Sequence, residues 1–182
     1  HVVCRRQRQM CIRDSSTFIA GKWHLSRGKS GSSPEEQGFD QNYGGGDSGV
    51  PKSYFYPYNI QTRGKGNENA PDITKLPEVE KGYHLTDQLT DLTLDWIDKN
   101  YVSKKSKKPF FIYLSHYEVH TPFEGKLDLE EKYKAKAERL YEGKNLKNPF
   151  SFESTTGETK LRQDNHIYLS LIHISEPTRR TT

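Results

Sequence analysis

The feature that most constrains the fold is a short apolar run, Phe110 to Leu114, preceded by a helical pattern and a Lys/Ser-rich connector over residues 103–108. The apolar stripe of that helix is formed by Leu85, Leu89, Leu92, Trp96 and Ile97. A short aromatic and branched run is typical of a strand that is buried on both faces of a parallel sheet. Helix, connector and strand make an αβ unit, so the sequence predicts an α/β fold with a mostly parallel sheet flanked by helices.

A second strand is predicted from Ser16 to Ala20, where a short apolar segment breaks at Gly21 and enters a loop. Seven of the chain's 14 glycines follow between residues 26 and 51, so no regular helix is expected there. The aromatic segment 54–58 is predicted as a strand or an extended stretch, and Pro57 limits it to a sheet edge or an irregular stretch. Residues 59–82 are predicted as a long loop that lines or covers a binding site, or is disordered.

After the apolar run, residues 115–122 form a loop that ends in a proline. A second helix is predicted from Asp128, whose side chain can cap the helix while Glu131 lies in the capping-box position. Its modest apolar face contains Leu129, Tyr133, Ala137, Leu140 and Tyr141. No element is predicted over 143–168.

The two ends of the chain differ from its interior. Residues 1–15 resemble the translation of a transposase-type sequencing adapter, and residues 169–182 resemble the inverted companion adapter. We therefore expect both ends to be artefacts that make few contacts with residues 16–142, which leaves 16–168 as a partial domain. The alternative is a basic N-terminal arm and an ordinary C-terminal tail. If the ends are artefacts, the missing signal peptide carries no information.

Charge and composition exclude several classes of protein. The formal net charge of +4 comes from the two ends, and the interior is neutral, so no nucleic-acid partner is expected. No apolar run approaches the roughly 18 to 20 residues that a membrane helix needs. The two cysteines, Cys4 and Cys11, are too few for a zinc cluster or a disulfide framework.

Three histidines lie on loops next to predicted strand ends, where open α/β sheets place their ligand sites: His24, His116 and His120. Gly-Lys-Trp-His, which ends at His24, combines a cation, a flat apolar anchor and an imidazole. Lys22 and protonated imidazoles donate hydrogen bonds, which suits a small oxyanion such as sulfate or phosphate. A histidine can also give a proton to a departing alkoxide. The pattern indicates an anionic ester as the ligand.

Three groups of residues carry a family resemblance. They are Gly21-Lys22-Trp23-His24-Leu25, then Gln37-Gly38-Phe39-Asp40 with Tyr43-Gly44, and finally Lys108-Pro109-Phe110 through His120-Thr121-Pro122. They resemble the sulfatase family, most closely the arylsulfatase and N-acetylgalactosamine-6-sulfatase type of the alkaline-phosphatase superfamily. The resemblance extends over residues 16–142.

The resemblance implies a role for each matching residue. Lys22 is expected to bind the sulfate and to contact a formylglycine, and His24 to hydrogen-bond the formylglycine hydroxyl. His120 is expected to bind the sulfate and to protonate the leaving oxygen. Ser48 matches a substrate-proximal serine of the family by spacing, while its alternative role is that of a turn residue. We further expect Lys22, His24 and His120 to converge with their reacting groups about 5 to 9 Å apart, and His116 to be structural.

The family also needs parts that this sequence does not contain. A Cys-x-Pro-Ser-Arg-like segment supplies the formylglycine, and neither Cys4 nor Cys11 begins such a segment. The carboxylates that bind calcium in the family are missing, so the calcium ion is expected in a full-length parent and no metal ligand is assigned here. The fragment alone is expected to be inactive.

Two other functions remain possible from the sequence. A phosphonate-ester or phosphodiester hydrolase of the same superfamily would need the same cationic pocket, and a non-catalytic sulfated-glycan-binding module would need further basic surface clusters. The resemblance implies a sulfated sugar or an aryl sulfate as substrate and a secreted, periplasmic or lysosomal location. The particular ester and the oligomeric state are not indicated.

Overall fold

The computed structural model of the chain describes residues 15–25, 32–60, 71–105, 107–142, 150–153, 157–160 and 164–175. It divides the chain into two compact units, His1–Glu124 and Gly125–Thr182. The boundary between them lies inside the partial domain predicted over 16–168.

The first unit contains a three-stranded parallel sheet. Its strands are β1 (Ser16–Gly21), β2 (Gln41–Tyr43) and β3 (Phe110–Ser115), in the order β2-β1-β3. Because β1 is the central strand, its residues Phe18, Ile19 and Ala20 are completely buried. The predicted parallel α/β architecture and the predicted strand from Ser16 are confirmed. Strand β2 was not predicted, since it is short and lies in the glycine-rich stretch.

The expectation that β3 is buried on both faces is wrong. Four of its apolar side chains are between 39% and 52% exposed, namely Phe110, Phe111, Tyr113 and Leu114. Within the described part of the chain, β3 pairs only with β1, so its other edge and much of its surface are open. The apolar composition identified a strand correctly, but it could not indicate which neighbours cover the strand.

Helix α1 (Leu85–Ile97) is the predicted amphipathic helix. Its buried residues Leu85, Leu89 and Trp96 join the core, where the Trp96 ring lies 5.0 Å from that of Phe18 on β1. The helix continues into a π-helical turn, Asp98–Val102, before β3 begins. Helix, connector and strand therefore form the predicted αβ unit.

The aromatic segment 54–58 forms no regular strand. It makes a single antiparallel bridge, between Phe55 and His84, the residue that caps α1. Tyr54 is completely buried and Tyr58 is 4% exposed. This segment is therefore an irregular part of the core rather than a surface loop.

The second unit contains α2 (Leu127–Tyr141), the antiparallel pair β4 (Phe150–Glu153) and β5 (Gly157–Lys160), and α3 (His166–Ser175). Helix α2 begins one residue before the predicted start at Asp128. Lys126 occupies the N-cap position without a side-chain hydrogen bond, so the predicted cap by Asp128 is wrong. Asp128 instead lies in the first turn, where its negative charge stabilises the positive end of the helix dipole.

The described part of the C-terminal end does not behave as expected. Residues up to Ser175 belong to α3, in which Ser170 and Leu171 are completely buried. The His173 ring is stacked on Tyr133 of α2 at 4.7 Å. The prediction that 169–182 make few contacts with 16–142 is thus wrong for residues 169–175, because their apolar side chains form a helical face. The adapter origin of this end stays a prediction, and residues 1–14 lie outside the described part.

Among the described residues, no helix is both long and apolar enough to cross a membrane.

Candidate functional site

The two loops that carry the candidate residues leave the sheet side by side. Strands β1 and β3 are parallel neighbours with Gly21 opposite Ser115, and the Lys22 N–H donates to the Ser115 carbonyl at 2.7 Å. The Gly21–Leu25 and His116–Pro122 loops therefore start at the carboxyl ends of neighbouring strands. Open α/β sheets bind ligands at that edge.

Gly21 allows this close approach. Its φ of +104° is in the region that L side chains rarely adopt, and a Cβ built on it would lie 1.8 Å from the Ser115 carbonyl oxygen. Only glycine therefore fits at the point where the first loop leaves β1 next to β3.

The loop after β1 is anchored through Trp23. The indole N–H donates to the Ser32 carbonyl at 2.8 Å, and the ring packs edge-on against Phe39 and Tyr113 at centroid distances of 5.9 and 6.4 Å. Trp23 is therefore the flat apolar anchor that the sequence predicts. It fixes the backbone on either side, which carries Lys22 and His24.

His24 has a strained backbone and an exposed side chain. Its φ is +56°, which is uncommon for a residue other than glycine, and its N–H donates to the Gly46 carbonyl at 2.9 Å. The imidazole lies on the backbone of Gly49, since a Cβ built there would be 2.4 Å from the ring Cε1. Such strain persists only where the surrounding structure enforces it, and it is concentrated at functional sites.

Gly49→Ala is expected to displace the His24 ring without unfolding the chain, because a side-chain ring can move away from a new methyl group. Gly46→Ala is the matched control, since among the described residues a Cβ at Gly46 would meet only the Thr74 hydroxyl, at 3.7 Å. The His24 ring resonances in NMR spectra should change in the Gly49 variant and stay unchanged in the Gly46 variant. Equal changes in both would show that Gly49 does not place the ring.

Ser48 lies in the same loop but faces inward. It is 1% exposed, and its hydroxyl donates to the Val50 carbonyl at 2.5 Å. This geometry is that of the turn residue considered as the alternative in the sequence analysis. Its substrate-binding role stays a prediction.

His120 and His116 differ in their surroundings although they share one loop. His120 is exposed, and its Nδ1 lies 3.1 Å from the Thr121 carbonyl, which can only accept. The Thr121 hydroxyl also lies 3.2 Å from Nδ1 and can either donate to it or accept from it. Thr121 therefore engages Nδ1 in either tautomer, and Nε2 is the ring nitrogen left for a ligand. Burial lowers the pKa of His116, whose Nδ1 is buried and has no hydrogen-bond partner in the described part of the chain. This buried environment fits the structural role expected for His116, whereas His120 is the exposed imidazole of the loop. Its role as a proton donor stays a prediction.

A buried polar cluster that was not predicted from the sequence lies behind the His120 loop. The side chains of Glu118 and His84 are 0% and 1% exposed, and Glu124 is completely buried. Glutamates on a loop ordinarily indicate solvent exposure, so nothing in the sequence separated these from surface residues. They lie on either side of His120 along the chain.

No three His, Cys, Asp or Glu side chains in the described ranges come together in a group that could hold a metal ion. The calcium ion that the family resemblance implies is therefore not assigned to any of the described residues.

Comparisons with known proteins agree with the motifs. The family model described as Sulfatase matches residues 14–172, which includes the start of the adapter-like C-terminal end. The crystal structure of Ps i-CgsB in complex with k-i-k-neocarrahexaose is similar at 22% identity and a TM-score of 0.48, over 90% of this chain and 32% of that chain. A crystal structure of Ps i-CgsB is similar at 21% identity and a TM-score of 0.48, over 91% and 32% of the two chains. The chain thus spans 32% of the length of these structures. No curated protein matches it significantly.

Proposed function

Because this chain belongs to the sulfatase family, we propose that it forms part of an enzyme that hydrolyses sulfate monoesters of sugars or aryl alcohols. The observation that supports this most is the pairing of β1 with β3, which brings the Gly-Lys-Trp-His loop and the His-Thr-Pro loop to one edge of the sheet.

In this proposal the Lys22 ammonium binds the non-bridging sulfate oxygens through charge-assisted hydrogen bonds. The protonated His120 ring contacts the sulfate and the ester oxygen through Nε2. As the bond between sulfur and the ester oxygen breaks, the electron pair stays on that oxygen and the Nε2 proton moves to it, which releases a neutral alcohol. His24 is a second imidazole at the same edge and assists sulfate release.

The nucleophile and the calcium ion are proposed to come from parts of the enzyme that this chain does not contain. Formylglycine and Ca²⁺ would supply the attacking oxygen and its activation in the complete enzyme. Because the described residues do not fit a metal site, the mechanism proposed for this chain is limited to binding the anion and transferring the proton. A secreted, periplasmic or lysosomal location is likewise a proposal from the family resemblance.

The experiment compares hydrolysis of matched aryl sulfate and aryl phosphodiester substrates by the full-length enzyme that contains this chain. We expect kcat/KM to favour the sulfate ester, and the chain of 182 residues alone to give no turnover above background. Preference for the phosphodiester would establish the alternative hydrolase. Calcium-independent turnover by the chain alone would refute the proposal that its nucleophile lies elsewhere.

A further inference from the structure

The loop that carries His120 is held from behind by residues distant in the sequence. Three of its residues contact the core in this way, Tyr117, Glu118 and His120, and so does Glu124, two residues beyond the end of the loop. The Tyr117 hydroxyl donates to the Gly44 carbonyl at 2.8 Å, and Glu118 accepts a hydrogen bond from the Thr86 hydroxyl. His120 therefore carries its exposed imidazole on a loop whose buried side is held by hydrogen bonds to the core.

Glu124 anchors the aromatic segment to this loop. One of its carboxylate oxygens accepts from the Ser53 hydroxyl at 2.8 Å and from the Tyr54 N–H at 2.7 Å. The Glu124 carbonyl lies 3.3 Å from His84 Nε2, which donates to it, since Nδ1 accepts from the Thr86 N–H at 3.4 Å. Bonds to a buried carboxylate are shorter and stronger than neutral ones, so Tyr54 has a fixed backbone position relative to the loop.

The Tyr54 side chain completes the connection to His120. Its ring is stacked on the His84 ring at a centroid distance of 5.8 Å, and its hydroxyl donates to the His120 carbonyl at 3.0 Å. Burial, with the nearby Glu118 and Glu124, raises the pKa of Tyr54 above its ordinary value, so the hydroxyl keeps the proton that it donates. This is a direct hydrogen bond between the buried core and the backbone of the candidate proton donor.

We propose that Tyr54 is a positioning residue, which holds the His120 backbone through this hydrogen bond and thereby fixes where the imidazole meets the sulfate. The proposal rests on the proposed function, because it assigns His120 the role of sulfate ligand and proton donor. Tyr54 itself does not contact the substrate.

Tyr54→Phe removes only the hydroxyl and keeps the stacking on His84. Tyr58→Phe is a matched control, because the Tyr58 hydroxyl is also buried but has no hydrogen-bond partner among the described residues. Both variants and the wild-type 182-residue chain, labelled at histidine, are titrated with inorganic sulfate and followed by NMR. Thermal unfolding is measured in parallel, to separate displacement of His120 from loss of the fold.

We expect the His120 ring signals of Tyr54→Phe to shift or broaden before sulfate is added, and its sulfate dissociation constant to rise about two- to tenfold, as for one lost hydrogen bond. Tyr58→Phe should match the wild type in both respects. Should Tyr54→Phe unfold, Glu124→Gln is examined instead, since it weakens the anchor of Tyr54 and should displace the same signals.

Unchanged His120 signals in a folded Tyr54→Phe chain would overturn the positioning role, whatever the sulfate result. An equal change in Tyr58→Phe would do the same, because the effect would then not depend on the hydrogen bond. If the wild-type chain binds no sulfate at the His120 loop, the proposed function fails instead, while the unliganded His120 signals still decide the role of Tyr54.

Discussion

Replacing His120 with alanine in the full-length enzyme is expected to lower kcat/KM for an aryl sulfate by about 100- to 10,000-fold, the range for loss of a general acid. The ring is exposed at the edge of the sheet, and its Nδ1 is engaged by Thr121, which leaves Nε2 for the ester oxygen. Alanine removes both the contact with the sulfate and the proton. Steady-state kinetics with a fluorogenic aryl sulfate measure the loss, and it should be smaller for a substrate whose leaving group needs no protonation.

His116→Gln is the control from the same loop. His116 is half-buried and burial lowers its pKa, so it is not expected to donate a proton to the substrate. We expect the Gln variant to keep kcat/KM within a few-fold of the wild type, on the scale of a side chain that is not in contact with substrate. Normal turnover by His120→Ala would make His120 a packing residue, and a large loss in His116→Gln would reassign the proton donor.

Gly21→Ala is expected to destabilise the chain by about 3 to 5 kcal/mol, through a left-handed backbone and a steric overlap. The new Cβ would lie 1.8 Å from the Ser115 carbonyl oxygen, which belongs to the backbone of β3 and cannot rotate away. The two strands would have to separate where the candidate loops begin. Chemical unfolding followed by circular dichroism gives the free energy of unfolding.

Gly82→Ala separates the two causes of this loss. Gly82 also has a positive φ, of +88°, but a Cβ built there meets no atom of the described residues within 4 Å. We therefore expect it to lose only the conformational part, about 1 to 2 kcal/mol. If the two variants lose the same stability, the close approach of β1 to β3 at Gly21 does not exist.

The sequence predicted those elements whose pattern is local. The apolar stripe of α1 and the break at Gly21 gave correct positions, because helical periodicity and glycine geometry depend on near neighbours along the chain. The predicted burial of β3 on both faces was wrong, because burial of a strand depends on which strands lie beside it. The prediction that the C-terminal residues make few contacts was also wrong for residues 169–175. An apolar segment of any origin packs when it can form a helical face.

The candidate site could be predicted only in part. Lys22, His24 and His120 stand in recognisable motifs, and the parallel pairing of β1 with β3 follows from the αβ unit. Tyr54 could not be found this way, because its hydrogen bond to His120 joins residues 66 positions apart. Gly49 could not be predicted either, because its role depends on the His24 ring, which lies against it in the folded chain.

In the proposed site, the two loops at the carboxyl ends of β1 and β3 bind one sulfate together. The most direct test is a crystal structure of the chain grown with sulfate. We expect one sulfate within about 3 Å of both Lys22 Nζ and His120 Nε2, with the reacting groups of Lys22, His24 and His120 about 5 to 9 Å apart. Lys22 and His120 side chains directed to opposite faces of the sheet, with sulfate bound elsewhere, would contradict it.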